Sequence, residues 1–100
     1  MAITFRERVS EAQRLALLQL LASTPGQQAA DTLLAPALQD MGLAASMDQV
    51  RTQLAWLSDQ GLVELEDVAG VTLARALAAG VDTANGLRTV PGVARPAPRR

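Results

Sequence analysis

A capped helix, a glycine stop and two alternating apolar–polar runs, all within residues 46 to 74, predict a mainly α domain with a small β-hairpin. Together they make the arrangement of a winged helix-turn-helix. Ser46 followed three residues later by Gln49 is a capping box, in which each residue's side chain bonds the other's backbone N–H. Val50, Leu54 and Leu57 then recur at helical spacing and define one buried face. Gly61 stands where a helix ends in a left-handed residue. Beyond it, Val63 and Leu65 alternate with Glu64 and Glu66, and Val71 and Leu73 alternate with Thr72 and Ala74. The intervening Asp67-Val68-Ala69-Gly70 reads as the hairpin turn.

The rest of the chain supplies the helices that such a hairpin needs. Residues 3 to 9 read as an arm anchored by Phe5. Ser10 and Gln13 form a second capping-box pattern, predicting a helix that runs to about Ser23, before Pro25-Gly26. That helix carries two apolar stripes, Leu15, Leu18 and Ala22 on one side and Leu17, Leu20 and Leu21 on the other. A surface helix needs only one. Either the small domain wraps the helix on both sides, or Leu17, Leu20 and Leu21 form a homodimer interface. Asp31 is the expected N-cap of a helix through about Met41, with Leu33, Leu34, Ala37, Leu38 and Met41 on one face and Pro36 inside it. Pro36 implies a later start or a distorted first turn. A last helix is expected from Arg75 to Ala84, stopped by Asn85-Gly86. The domain is thus assigned to residues 1–88. Residues 89–100, with three Pro and three Arg, read as a flexible tail.

Composition narrows the chemistry. The 100 residues contain no Cys, His, Lys or Tyr, which excludes disulfides, thiolate nucleophiles and the usual zinc sites. With only carboxylates and hydroxyls left, an enzyme is not expected, nor is a cofactor or a metal. Glu64, Glu66 and Asp67 read as a solvated acidic hairpin. Glu7 and Glu11 interrupt what would be the positive region of a signal peptide, and no run approaches the roughly 20 apolar residues of a membrane span. A cytoplasmic protein with no membrane contact is the expectation.

Three segments carry a family resemblance: FRERVSEAQRLALLQLL from Phe5, VRTQLAWLSDQGLV from Val50 and TVPGVARP from Thr89. In this order they resemble the small winged-helix proteins of Mu-like phages and prophages that are described as ArsR-like regulators. The resemblance covers nearly the whole chain. It implies a winged-helix fold, a DNA-binding or regulatory role and a bacterial host cytoplasm. Two features depart from ArsR proteins. The Cys and His ligands of metal sensing are missing. The Leu-Thr-x-x-Gly signature after the wing reads Ala76-Leu77-Ala78-Ala79-Gly80, keeping only the glycine.

Two functions follow from the residues. A helix-turn-helix reads double-stranded DNA through the exposed face of its second helix. Gln49, Arg51, Thr52 and Gln53 are then the base-reading candidates, and Arg95, Arg99 and Arg100 the phosphate contacts. Charge argues otherwise. Residues 46–74 hold one Arg against five carboxylates, a net −4, while residues 75–100 hold five Arg against one, a net +4. Phosphate binding rests on positive charge at the reading surface. The alternative is a protein-interaction module on the same fold, serving phage assembly or modulating a host regulator. Its contact residues would be Trp56, Glu64, Glu66 and Asp67.

Overall fold

The chain enters its first helix, α1 (Phe5–Ser23), at Thr4, whose Oγ1 accepts the Glu7 N–H at 3.1 Å. Thr4 and Glu7 occupy the same pattern as Ser10 and Gln13, and no helix breaker separates them, so the helix starts at the earlier cap. The expected arm is therefore helical, and Gln13 lies buried in the middle of α1 instead of at its start. The computed structural model describes residues 2–97. Among them, α1 is followed by a short 3₁₀ turn (Pro25–Gln27), strand β1 (Gln28–Ala30), helices α2 (Asp31–Asp40) and α3 (Met47–Asp59), strands β2 (Val63–Val68) and β3 (Val71–Ala76), and helix α4 (Ala78–Ala84). The result is a small α+β domain with a three-stranded antiparallel sheet in the order β1-β3-β2.

The α3 boundaries fall where the sequence places them. Ser46 caps α3 with both capping-box hydrogen bonds in place, Ser46 N–H to Gln49 Oε1 at 2.8 Å and Gln49 N–H to Ser46 Oγ at 3.1 Å. At the other end Gly61 takes φ 74°, and the amides of Gly61 and Leu62 close back onto the carbonyls of Ser58 and Leu57. This satisfies two of the helix's orphan acceptors and turns the chain into β2.

Elsewhere the fold corrects the reading. β1 has no strong sequence signature, yet it pairs Gln28, Ala29 and Ala30 with Arg75, Ala74 and Leu73. That pairing keeps Arg75 and Ala76 in β3, so α4 begins at Ala78 and not at Arg75. The hairpin turn is only Ala69-Gly70, both at positive φ. In β3 the core residues are Ala74 and Ala76, opposite Leu65 and Val63. Val71 and Leu73 stand on the outer face with Val68, Glu64 and Glu66, the residues across from them in register or one pleat along. Asp31 is not the N-cap of α2. Ala30 is, and Asp31 is the first helical residue, fully buried. Pro36 sits inside an unbroken α2, at a cost of about 3 kcal/mol for an interior proline. Burial of Leu34 and Leu38 in the same helix offsets it, at about 1.5–3 kcal/mol each. Leu33 and Met41, expected on the same face, are exposed.

The core is a leucine cluster between α1 and the other elements, built from Leu17, Leu18, Leu21, Leu34, Leu38, Leu54, Leu57 and Leu62. Helix α1 touches α2, α3, α4 and β3. Both of its apolar stripes are thus used within one chain: Leu17 and Leu21 are fully buried and Leu20 is half-buried. Leu17 and Leu21, expected at a homodimer interface, are core residues instead, and only Leu20 of the three is partly open. α4 reaches α1 across Gly80, where a Cβ would overlap the Leu62 carbonyl oxygen.

Candidate interaction surface

The exposed side of α3 has one basic residue, Arg51, and its guanidinium is already engaged. Its Nε donates to Asp31 Oδ2 at 2.8 Å and its Nη2 donates to the Gly70 carbonyl at 3.3 Å. One side chain thereby ties α3 to the start of α2 and to the hairpin turn. Burial pushes the Asp31 carboxyl up, but the Arg51 hydrogen bond, the backbone at Thr72, the Arg51 charge and the backbone at Thr32 outweigh it. The group is held below its ordinary value of 3.8. Its position in the first turn of α2 favours the anion further. Its other oxygen, Oδ1, is buried with no hydrogen-bond partner. Arg51 is raised in turn by the Asp31 hydrogen bond and charge, with smaller contributions from Asp48 and Asp67 after the opposing effect of burial.

The other reading candidates are engaged as well. Gln49 spends its side-chain carbonyl on the Ser46 amide. The Thr52 hydroxyl donates to Asp48 O at 2.9 Å, although the residue is exposed. Gln53 is buried and cannot reach a base: its Nε2 donates to Gln13 Oε1 at 3.2 Å, and its Oε1 accepts from Arg14 Nε at 2.7 Å. Gln13 continues the chain of bonds to the carbonyl of Leu43, between α2 and α3, at 3.2 Å. Buried amides need partners, and here they supply one another.

This network also holds the C-terminal segment. Arg14 Nη1 donates to the Gly92 carbonyl at 2.9 Å, the Ala94 amide donates to Glu11 O at 3.2 Å, and Val93 is buried. Arg14 lies 4.1 Å from the centre of the Trp56 ring, and the φ of Gly92 is 97°. A Cβ at Gly92 would come within 2.6 Å of Trp56. Burial pulls the Arg14 guanidinium down from its ordinary value, with Glu11 acting the other way. Residues 89–94 are therefore part of the domain, not a flexible tail beyond residue 88. Trp56 packs beneath them and half-buried, so it does not stand beside the acidic hairpin as an open contact. Arg95 is exposed, and Arg99 and Arg100 lie outside the described residues.

Of the hairpin candidates, Glu64 is paired with Arg75 at 2.7 Å, and Asp67 accepts the Thr72 hydroxyl at 3.0 Å. Glu66 is exposed and unpaired among the described residues. With Arg75 now in β3, residues 46–76 hold two Arg against five carboxylates, a net −3. Elsewhere, α1, α4 and the C-terminal segment line a groove of about 740 Å³ whose charged lining residues are Arg88 and Arg95. A shallower depression gathers Phe5 and Arg6 of α1 with Gln49 and Thr52 of α3.

The chain is 35% identical over 91 residues to gp26 of Escherichia phage Mu, described as an uncharacterized protein; the match spans 91% of this chain and 94% of gp26. It therefore belongs to this family of Mu-like phage proteins. An uncharacterized protein of Haemophilus influenzae is 38% identical over 64 residues, which is 64% of this chain and 62% of that one. No family model matches the chain. No solved structure matches it either. No helix of the described residues is long and apolar enough to cross a membrane.

Proposed function

We propose that this phage protein is a protein-interaction module on a winged-helix scaffold, and that its acidic face, made by α3 and the hairpin, engages a basic segment of a phage or host protein. The element order of helix, short strand, two helices and a hairpin, with the first strand closing the sheet beside β3, supports the winged-helix reading. The observation that carries the functional one is the state of Arg51. The helix that would read DNA has a single cation, and that cation is committed to Asp31 and Gly70 within the fold. Around it Asp48 and Asp67 repel a phosphate backbone, whose binding rests on Lys and Arg. The same charges attract a basic partner and steer its approach.

A second reading keeps DNA as the ligand. It is favoured by the placement of Arg6 in one depression with Gln49 and Thr52, and by the Arg residues at positions 95, 99 and 100. The two readings separate in one set of assays. Retention of the chain on immobilised poly-arginine, compared with a gel shift on duplex DNA flanking its own gene at two salt concentrations, should show retention and no shift at physiological salt. Reversing Asp67→Arg with Glu66→Arg should abolish the retention. A salt-dependent shift that Arg6→Ala and Thr52→Ala both weaken would establish the DNA reading instead.

A further inference from the structure

The basic groove between α1, α4 and the C-terminal segment has its complement on the chain itself. Its floor includes Ala22, Val81, Ala84, Val90 and Val93, its charges are Arg88 and Arg95, and no carboxylate lines it. Both Arg residues are exposed, and neither is in an ion pair among the described residues. The hairpin's outer face has the opposite character. Register places Val68, Val71 and Leu73 together there, with Glu66 and the paired Glu64 and Arg75 on the same face. Val68 is 46% exposed, and Val71 and Leu73 are only half-buried, so an apolar strip flanked by acid stands open. One site is apolar and basic, the other apolar and acidic, and they are different surfaces.

We infer that the hairpin of one copy docks in the groove of a second copy, giving a head-to-tail contact. This rests on the reading of the acidic face as an interaction surface and names a partner for its hairpin edge. Val68 would enter against Val81, Val90 and Val93, while Glu66 meets Arg88 and Arg95. The charges that meet are of opposite sign: Glu66, unpaired among the described residues, on the hairpin, and Arg88 and Arg95 in the groove. Because the two patches differ, the contact is heterologous. It does not close on itself as a two-fold dimer does, and the pair keeps one free groove and one free hairpin. Repetition yields a ring or an open filament. Such an assembly would be built by electrostatic complementarity and weakened by salt.

The test is sedimentation velocity on the full chain over a range up to submillimolar concentration. At low ionic strength the average mass should climb steadily past that of a dimer. At about 1 M salt, where the screening length is about 3 Å, it should fall to the monomer. Two charge-reversed chains, Glu66→Arg in one and Arg88→Glu with Arg95→Glu in the other, should each stay monomeric, their affinity reduced by at least about tenfold. All three positions are exposed, and circular dichroism would verify that both variants fold. Mixed together, the two variants should associate, because each hairpin then finds a groove of opposite charge. A wild-type chain that stays monomeric at low salt would overturn the inference. So would association that both reversals leave intact, or a mixture that fails to restore it. Retention on poly-arginine in the face of a monomeric wild type would sink the self-contact while sparing the acidic-face reading.

Discussion

Two arginines hold α3 in place, one on each flank, and they are neutralised in different ways. Arg51, toward the hairpin, faces a fully buried carboxylate at 2.8 Å. Arg14, toward the C-terminal segment, is bonded to no carboxylate but to a Gln53 carbonyl and the Gly92 carbonyl, with the Trp56 ring beneath it and Glu11 acting only through its charge. The first contact is an ion pair with one side out of water. The second is a set of dipoles and a π-face around a charge. The difference teaches what each flank is sensitive to. Removing Arg51 strands a buried charge, whereas the hydrogen-bond partners left by removing Arg14 are neutral. Acid should loosen the Arg51 side and spare the Arg14 side.

The largest effect should follow from stranding Asp31. Arg51→Ala leaves its buried carboxylate with no cation, and breaking a pair from one side is the costly direction. It should lower the denaturation midpoint more than Arg14→Ala or Glu64→Gln does. Asp31→Asn in the same chain should restore much of the loss, and a double mutant no better than Arg51→Ala would show that the two flanks do not differ in this way. This also means that a loss of ligand binding in Arg51→Ala is uninformative unless the fold is checked.

Arg14→Ala should come next, at about 1–3 kcal/mol, because it removes a charged hydrogen-bond donor together with its packing on the Trp56 ring. Its signature is local. Trp56 is the one tryptophan, and its emission should shift to the red as the Gly92 segment lifts away. Gly92→Val should give the same spectral change by crowding the ring from the other side.

The acid profile separates the two flanks further. The Asp31 carboxyl is depressed in the folded state relative to its ordinary value of 3.8. Its stabilisation is therefore complete above the carboxylate range and is lost as pH falls through the depressed folded value. Thermal melts of the wild type should decline below about pH 4 more steeply than those of Asp31→Asn. Arg14→Ala should keep the wild-type slope. The smallest effect belongs to the hairpin's surface pair: both partners of Arg75–Glu64 are well exposed, and Glu64→Gln should change stability by no more than about 1 kcal/mol.

What was legible in the chain was local. The start and stop of α3 are set by Ser46, Gln49 and Gly61, each acting within one turn, and both ends fall where the residues place them. The hairpin was legible in outline but not in facing, because VTLARA offers apolar residues on both parities and only packing chooses Ala74 and Ala76 for the core. The start of α1 is not fixed by the sequence, because the Thr4–Glu7 and Ser10–Gln13 cap patterns compete and either can begin the helix. β1 is three residues long, and its partner lies more than 40 positions away. The site was least legible. Gln53 reads as a polar surface residue until Gln13 and Arg14 of α1 are brought against it. Asp31 reads as a cap until Arg51, 20 residues on, turns out to need it. The C-terminal segment looks disordered by composition, yet a glycine at position 92 lets the chain lie flat on Trp56.

Whether Arg51 stays locked inside the fold decides between the two functions, and its side chain can be watched directly. In a nitrogen-labelled sample at physiological salt, the Arg51 Nε–H signal should be slowly exchanging, and it should not move when duplex DNA flanking the protein's own gene is added. Signals of Asp48, Glu66 and Asp67 should respond instead to a basic peptide. An Arg51 signal that exchanges freely, or that shifts and saturates with DNA, would contradict the acidic-face reading.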